Sequence, residues 1–310
     1  MGLLDGKVAI VTGAGRGLGR AHALALAQAG ARVVANDLGV SLGGEGIDTT
    51  PAQAIVAEIE ALGSQAVADG ENVADFEGAQ RLVQRAVDTF GRLDILVNNA
   101  GILRDRMLVN MEEAEWDSVI QVHLKGHFAP TRHAAAYWRD RSKSGEEVRA
   151  RVVNTASPSG VFGNVGQTNY STAKAGIAAF TIVAAQELGR YGVTVNCIAP
   201  NARTRMTESA FELPSEDGGF DAIDPANNSP VVVALCADEA EGITGQVFHI
   251  FGGAVNMLQP WAPGELFAND EAWDAESFLT DLLARFPDGA RPEPLVAMME
   301  KVGGAYVPRT

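Results

Sequence analysis

A tyrosine, a lysine and a serine in the middle of this chain have the types and spacing to move a proton to and from an alcohol oxygen. Tyr170 and Lys174 are four residues apart, and Ser157 lies thirteen residues before the tyrosine. On a helix, side chains at positions i and i+4 share a face, so the lysine ammonium would lie beside the phenol. A neighbouring cation favours the ionised phenol, and we therefore expect the pKa of Tyr170 to fall below its ordinary value of about 10.

Such a pair also occurs by chance on exposed helices, so the elements around it must decide what it means. At the amino end, a β-branched run at residues 7–12 leads into a glycine-rich turn and then into an alanine- and leucine-rich stretch. This order predicts a strand, a turn and a helix. The spacing is TGxxxGxG rather than GxGxxG, but its glycines would still let the backbone approach a pyrophosphate at the start of the helix. The candidate binding residues of this turn are Gly13, Arg16, Gly17, Leu18 and Gly19.

Asp37 ends the second predicted strand, twenty residues after Gly17. A βαβ unit carries at this point the carboxylate that reads the ribose of a dinucleotide. The carboxylate accepts hydrogen bonds from ribose hydroxyls and repels the extra phosphate of NADP, so it favours NAD. Arg16 argues for NADP instead, because an arginine in the turn can contact a 2′-phosphate. Beside Asp37, we favour its pairing with the pyrophosphate or with a nearby carboxylate.

Four motifs in this order resemble the short-chain dehydrogenase/reductase family. They are TGxxxGxG, the stretch Asn98-Asn-Ala-Gly101, Ser157 and the YxxxK pair, and the resemblance spans residues 4 to about 253. It implies an α/β fold with a single Rossmann-like, doubly wound parallel sheet of about seven strands. A nicotinamide cofactor would lie across the carboxyl ends of these strands. We expect strands near residues 7–12, 32–37, 65–69, 94–98, 151–156, 193–199 and 246–251.

The resemblance also implies a catalytic set and a group of cofactor contacts. Ser157 and Tyr170 would hydrogen-bond the reacting oxygen, and the phenolate would take the hydroxyl proton as a hydride passes to the nicotinamide. Thr155 and Ser159 are close rivals of Ser157, which we prefer for its spacing to the tyrosine. The implied cofactor contacts are Asn72 and Val73 at the adenine, Asn98, Ala100 and Gly101 in the groove, Tyr170 and Lys174 at the nicotinamide ribose, Pro200, and Thr204 at the carboxamide.

Two positions depart from the family pattern. His123 stands where many members carry an asparagine that completes a catalytic tetrad. It is a candidate for a proton relay or for a structural, water-holding role, and we favour the structural role. Asn201 follows Ala199-Pro200 where the family usually has a glycine. Asparagine tolerates left-handed backbone, so the turn can survive this change.

Several segments resemble one subgroup of this family, the (3R)-hydroxyacyl-CoA dehydrogenase unit of peroxisomal multifunctional enzyme type 2. The segments are 36–39, 99–106, 122–126, 198–202 and 205–207. This resemblance implies NAD-dependent oxidation of (3R)-3-hydroxyacyl-CoA to 3-oxoacyl-CoA in fatty-acid or sterol side-chain β-oxidation. Two alternatives are a 17β-hydroxysteroid dehydrogenase and a 3-oxoacyl-carrier-protein reductase, although Asp37 opposes the NADPH that such reductases usually take. An alternative from a different class is an inactive nucleotide-binding scaffold.

The composition narrows the partners and the location. A formal charge of −15 disfavours nucleic acid and anionic membranes. Neither a signal peptide nor an apolar run of membrane-spanning length is visible, so we expect a cytoplasmic protein. Cys197 and Cys236 lack metal-ligand spacing, so we expect reduced structural thiols and no metal site. We interpret the basic segment Arg139–Lys143 as a solvated loop rather than a site for an anionic substrate.

Residues 1–254 are expected to form the NAD-binding domain, and residues 255–310 a C-terminal extension. About 55 residues are too few for an independent core, so we expect the extension to dock on the core or across a dimer interface near the acyl pocket. Residues 207–228 fall where the family places a substrate lid. The family also implies a homodimer or homotetramer that binds a small molecule, either an acyl-CoA thioester or a steroid. The apolar residues of the extension that share one helical face are Phe278, Leu279, Leu282, Leu283 and Phe286.

Overall fold

The computed structural model contains one large sheet with helices on both faces. It describes residues 2–39, 50–203, 211–212, 220–259, 261, 263, 266–268, 272, 274–287, 289, 291–301 and 307–308. The strands are β1 (Val8–Thr12), β2 (Arg32–Asn36), β3 (Ala66–Asp69), β4 (Ile95–Asn98), β5 (Ala150–Thr155), β6 (Val193–Pro200), β7 (Phe211–Glu212), β8 (Val247–Phe251), β9 (Ala254–Leu258) and β10 (Val307–Pro308). Eight of them pair in the order β3-β2-β1-β4-β5-β6-β8-β9.

The helices form two layers, each with its own apolar core. They are α1 (Gly17–Gln28), α2 (Thr50–Ala61), α3 (Phe76–Phe90), α4 (Glu113–Ile120), α5 (Gly126–Lys143), α6 (Pro158–Phe162), α7 (Thr168–Leu188), α8 (Ser229–Cys236), α9 (Ala275–Arg285) and α10 (Leu295–Lys301). One layer packs α1, α2 and α8 on the sheet through residues such as Leu26 and Ile55. The other packs α3, α5 and α7 through residues such as Leu82 and Trp138. The predicted doubly wound α/β fold is therefore confirmed. Within the described ranges, no helix combines the length and the apolar character that crossing a membrane requires.

The central strands are buried along their whole length because helices cover both faces of the sheet. Every residue of β1, β4 and β5 is buried, as expected for a covered parallel sheet. β1 pairs in parallel with β2 on one side and with β4 on the other. The chain therefore reverses its winding direction at β1, and this reversal leaves a crevice at the carboxyl ends of the strands.

The sheet has one strand more than the seven whose positions were predicted. Each predicted strand agrees with an observed one to within about a residue, and β9 follows as the last strand of the sheet. β9 runs antiparallel to β8, pairing Leu258 with Val247. It is an edge strand whose residues are mostly exposed, although four of the five are apolar. The sheet therefore extends past the predicted domain boundary at residue 254.

The C-terminal extension contacts the core through its second helix. On α10, Met299 is buried against Ile223, next to Leu295 and Phe251. α10 also packs on α6, the short helix that follows Ser157. The apolar face predicted for α9 is only partly buried, since Phe278, Leu279, Leu283 and Phe286 are between 38% and 59% exposed. Docking of the extension across a dimer interface stays a prediction.

Candidate active site

The glycine turn connects β1 to α1 in a conformation that needs its glycines. Gly13 and Gly17 have φ angles of +64° and +52°, a region that other residues rarely adopt. Gly19 is required for a different reason, because a Cβ atom there would lie 2.0 Å from the Gly13 carbonyl oxygen. α1 begins at Gly17, and the Arg16 side chain makes no capping hydrogen bond. The first amides of α1 are thus left uncapped by side chains, as a pyrophosphate site requires.

Two residues that the sequence analysis missed hold this turn against β4. The Asn99 amide nitrogen, Nδ2, donates to the carbonyl oxygens of Thr12 at 3.0 Å and Gly13 at 3.3 Å. The Asn99 backbone amide donates in turn to Thr12 Oγ1 at 2.9 Å. The signal was available, since Thr12 opens the TGxxxGxG motif and Asn99 lies inside the Asn98–Gly101 stretch.

Asp37 stands directly after β2 and is built into the turn. Its carboxylate accepts a hydrogen bond from the Gly15 amide at 2.7 Å and another from the Gly39 amide at 2.7 Å. A side chain at position 15 would collide with this carboxylate, since a Cβ would lie 2.8 Å from its Oδ2 atom. The acid therefore lies where the crevice meets the glycine turn, as the sequence predicts for a ribose-reading group.

The other predicted cofactor contacts follow the carboxyl ends of neighbouring strands. Asn72 is exposed after β3, and Val73 beside it is buried. Ala100 and Gly101 follow β4, and Pro200 ends β6. Thr204 lies outside the described residues, as does half of the segment predicted to form a lid. The structure thus brings the described contacts to one edge of the sheet.

Asn98 is different, because its side chain is buried beneath the crevice. Its Nδ2 atom donates to Thr131 Oγ1 and to Asn154 Oδ1, both at 2.9 Å. Asn154 continues the network by donating to Thr181 Oγ1 at 2.9 Å. These bonds tie β4 and β5 to α5 and α7. The Asn98 side chain therefore supports the site from below.

The predicted catalytic residues meet at the amino end of α7. Tyr170 and Lys174 lie one turn apart on α7, and Ser157 is the N-cap of α6. The Lys174 Nζ atom lies 5.5 Å from the centroid of the Tyr170 ring and donates to the Thr155 carbonyl oxygen at 2.6 Å. The Ser157 side chain hydrogen-bonds to Tyr170 and lowers its pKa. This contact supports Ser157 over Thr155 and Ser159.

The prediction that the pKa of Tyr170 falls is wrong for the protein without a bound cofactor. Burial raises the pKa of Tyr170 to about 12, although the Ser157 hydrogen bond opposes the rise. Burial also lowers the pKa of Lys174 to about 7, so the ammonium charge that was expected to stabilise the phenolate is itself weakened. The helical spacing is as predicted, but desolvation outweighs the attraction between the two groups.

His123 lies in a π-helical turn between α4 and α5. Its ring is fully buried, and it meets the Tyr170 ring edge-on at a centroid distance of 5.1 Å. The Nε2 atom lies 2.8 Å from the Ile102 carbonyl oxygen and 3.1 Å from the Ile102 amide nitrogen. Burial and the charge of Lys174 hold the pKa of His123 well below its ordinary value, so the ring is neutral. A Cβ at Gly101 would lie 2.4 Å from its Cε1 atom, so the glycine makes room for the ring.

The remaining candidates are structural. Cys197 and Cys236 are buried free thiols. In the basic segment, Arg139 pairs with Asp140 at 2.8 Å and Arg141 pairs with Glu146 at 2.6 Å. These arginines are therefore neutralised by neighbours at the surface, but the prediction of a loop is wrong, because residues 139–143 form the end of α5.

Comparison with known proteins identifies the family. The short chain dehydrogenase family matches residues 7–214 of the chain. The chain belongs to this family. It is therefore an oxidoreductase that acts on CH–OH groups, and the family resemblance seen in the motifs is confirmed.

Relatives of this dehydrogenase include enzymes and a solved structure. Hydroxyacyl-CoA dehydrogenase ChsB1 of Mycobacterium tuberculosis is 46% identical over 299 residues, which are 94% of this chain and 91% of that protein. Peroxisomal multifunctional enzyme type 2 of Mus musculus is 43% identical over 255 residues, covering 82% of this chain and 33% of that longer protein. The crystal structure of a short chain dehydrogenase from Mycobacterium avium is 52% identical, with a TM-score of 0.83, and the match covers 94% of this chain and 99% of that one.

Replacing Gly19 with alanine in this dehydrogenase should weaken dinucleotide binding. The added Cβ would lie 2.0 Å from the Gly13 carbonyl oxygen, so the turn must move. We expect the dissociation constant for NADH or NADPH, measured by fluorescence titration, to rise at least about tenfold, or about 1.4 kcal/mol. Gly189→Ala is the matched control, because a Cβ there has no atom within 4 Å. Equal affinities for the two variants would contradict this account of the turn.

Replacing Lys174 with methionine should remove a pH-dependent contribution to stability. The pKa of Lys174 falls from 10.5 to about 7 on burial, so between these values the unfolded chain binds a proton that the folded chain does not. The free energy of unfolding of the wild type, relative to the variant, should therefore rise from about pH 7 to about pH 10.5 and fall as the pH drops through 7. Urea unfolding across this range measures the difference. The exposed control Lys143→Met should show no such trend, and a flat difference for Lys174→Met would refute the shift.

Proposed function

We propose that this protein is an NAD-dependent dehydrogenase that interconverts (3R)-3-hydroxyacyl-CoA and 3-oxoacyl-CoA in fatty-acid or sterol side-chain β-oxidation. The observation that carries the proposal is the convergence of Ser157, Tyr170 and Lys174 beside a turn built for a dinucleotide. The substrate is supported by the relative named hydroxyacyl-CoA dehydrogenase, which aligns with 94% of this chain. The R configuration rests on the resemblance to the multifunctional enzymes.

The residues present fit a nicotinamide dinucleotide. The amides at the start of α1, at Gly17, Leu18 and Gly19, would bind the pyrophosphate, with Gly13 and Arg16 beside them. Asp37 would accept hydrogen bonds from the adenosine ribose, and Lys174 with Tyr170 would bind the nicotinamide ribose. The bound cofactor supplies the hydride acceptor for oxidation and the hydride donor for reduction. The remaining contacts we assign to it are Asn72, Val73, Ala100, Gly101, Pro200 and Thr204, whereas Asn98, predicted as a contact, supports them from below through its buried side chain.

The proton step falls to Tyr170 with the help of Ser157. In oxidation, the phenolate accepts the hydroxyl proton while the Ser157 hydroxyl donates a hydrogen bond to the same oxygen. In reduction, the protonated phenol gives its proton to the carbonyl oxygen. The raised pKa of Tyr170 keeps the phenol protonated at neutral pH, so reduction finds its acid ready and oxidation gains as the pH rises.

NAD is the cofactor that the adenosine end favours. Asp37 would lie close to the 2′ position of the ribose, and its negative charge repels a phosphate there. Asp69 ends β3 and Glu71 follows it, and these two acids are paired with Arg85 and Arg81. Asp37 is therefore the group whose charge opposes NADP.

We also propose that the protein forms a homodimer or homotetramer through the outer face of α5 and α7. A groove of about 590 Å³ runs along these helices, lined in part by Phe128 and Phe180. On the same helices Phe128 is 44% exposed and Val183 is 53% exposed. Exposed aromatic and β-branched side chains in a groove are typical of a protein interface.

The decisive assay is NADH formation from a (3R)-3-hydroxyacyl-CoA, with a 17β-hydroxysteroid in parallel and with NAD or NADP. We expect turnover of the CoA ester with NAD, increasing with pH. Tyr170→Phe should lower kcat by about 10²-fold or more, since it removes the acid and base, while NADH binding stays close to that of wild type. Tyr137→Phe, on α5, is the matched control and should retain activity.

Each outcome of this assay has a definite meaning. Turnover of the steroid alone would replace the proposed substrate and leave the catalytic residues in place. If the wild type turned over none of the alcohols, a nucleotide-binding scaffold would be favoured. Full activity of Tyr170→Phe would remove Tyr170 from its catalytic role.

Asp37→Asn should narrow the preference for NAD over NADP. The amide retains an oxygen for the Gly15 amide and gives up the hydrogen bond with the Gly39 amide, and the charge that repels a 2′-phosphate is lost. We expect the ratio of kcat/KM for NAD to that for NADP to fall about tenfold, or about 1.4 kcal/mol. Asp88→Asn, an exposed change of equal charge on α3, should leave the ratio as it is. An unaltered ratio in Asp37→Asn would exclude Asp37 as the selective group.

A further inference from the structure

The loop that follows β4 is fastened to the turn that precedes Tyr170. The Arg106 backbone amide donates to the Gly166 carbonyl oxygen at 2.8 Å. The Asn169 side chain donates to the Arg104 carbonyl oxygen at 2.9 Å. Between these contacts, Gln167 Nε2 donates to Asp105 Oδ2 at 2.8 Å. The Asp105 carboxylate is therefore fixed beside the first turn of α7. Its partner Gln167 lies three residues before Tyr170.

Asp105 lies in the loop after β4 and is held by Gln167, which precedes the first residue of α7. Its residue is exposed, yet nearby protein atoms desolvate the carboxyl group and raise its pKa, against the opposing hydrogen bond from Gln167. The negative charge of Asp105 contributes to the raised pKa of Tyr170. The carboxylate and the reacting phenol therefore act on each other electrostatically.

The arginines that flank Asp105 are directed elsewhere. Arg106 Nη2 lies 2.7 Å from Glu115 Oε1, and Arg106 Nε also donates to this carboxylate. The charge of Arg104 lowers the pKa of Glu115, which places Arg104 near the same acid. In the described part of the chain, no cation is paired with Asp105. Within these ranges its charge is therefore not neutralised by an ion pair.

We propose that Asp105 is a specificity-determining residue that excludes free 3-hydroxy acids and so selects substrates whose carboxyl group is a thioester. This inference rests on the proposed function. In a 3-hydroxy acid the ionised carboxylate is two carbons from the carbinol, so binding at Tyr170 brings it into the field of Asp105. Two like charges close to each other cost binding free energy. A thioester carbonyl at the same position is neutral, and the phosphates of CoA lie at the far end of its pantetheine arm.

The test compares three compounds with one carbon skeleton: (3R)-hydroxybutyrate, its N-acetylcysteamine thioester and its CoA ester. The measured quantity is kcat/KM for the free acid divided by kcat/KM for the neutral N-acetylcysteamine thioester. We expect Asp105→Asn to raise this ratio about tenfold, or about 1.4 kcal/mol. The asparagine oxygen can still accept the hydrogen bond from Gln167, so the loop contact is kept.

Two control variants separate charge from fold. Asp105→Glu keeps the charge and should keep the wild-type ratio. Asp117→Asn removes an exposed carboxylate on α4 and should also leave the ratio as it is. Because the repulsion is screened by ions, added salt should raise the wild-type ratio and should affect Asp105→Asn less.

The pH profile supplies a second readout that a purely structural role would not move. The groups around Tyr170 are Ser157 on α6, Lys174 on α7, His123 in the π-helical turn and Asp105 in the loop. Of these, Asp105→Asn removes the one anion, which lowers the pKa of Tyr170. Oxidation of the neutral thioester should therefore reach its maximum at lower pH in this variant.

The outcomes distinguish this inference from the proposed function. Turnover of the CoA ester by the wild type tests the proposed function and does not depend on Asp105. If that turnover is present and Asp105→Asn leaves the ratio unchanged, or lowers both rates equally, the selective role of Asp105 is overturned. If the wild type oxidises the free acid as well as the neutral thioester, the inference also fails.

Discussion

The hydrogen bond from the Lys174 ammonium group to the Thr155 carbonyl oxygen is the contact on which the rest of the site depends. The two atoms are 2.6 Å apart inside the protein, and they tie α7 to the end of β5. Tyr170 is one helical turn before Lys174, and Ser157 is two residues after Thr155. This bond therefore places phenol and hydroxyl side by side. A buried charged donor left without its acceptor costs on the order of 3 kcal/mol, so α7 is held in one register against the sheet.

The burial that fixes this geometry also sets the protonation states of Lys174 and Tyr170. Taking the lysine and the tyrosine out of water lowers the pKa of the first to about 7 and raises that of the second to about 12. The phenol therefore holds its proton in the protein by itself. Asp105 strengthens this tendency from the loop after β4, and His123 supports the ring from behind as a neutral neighbour. Ser157 acts in the opposite direction through its hydrogen bond.

Features written in local sequence were predictable. Seven strands, the glycine turn and the helical spacing of Tyr170 and Lys174 depend on short-range patterns, and the structure has them where the patterns place them. β9 was missed although it forms a hairpin with the adjacent β8 and four of its five residues are apolar. Two other features were missed or misread because they depend on residues distant in sequence. The direction of the pKa of Tyr170 follows from burial by several elements, which the i to i+4 spacing does not contain. The position of Asp105 depends on its hydrogen bond with Gln167, which is 62 residues away in sequence.

By itself, the sequence determined the family, the α/β architecture and the identity of the catalytic side chains, because motifs of this kind are contiguous and their chemistry belongs to the residue types. Tertiary structure alone decided how those side chains are charged and which neighbours surround them. It buried Asn98 under the crevice, set His123 against the Tyr170 ring and left the charge of Asp105 beside the phenol. The physical reason is that solvation and electrostatic fields depend on distances in space, and these exist only once the strands and helices have packed.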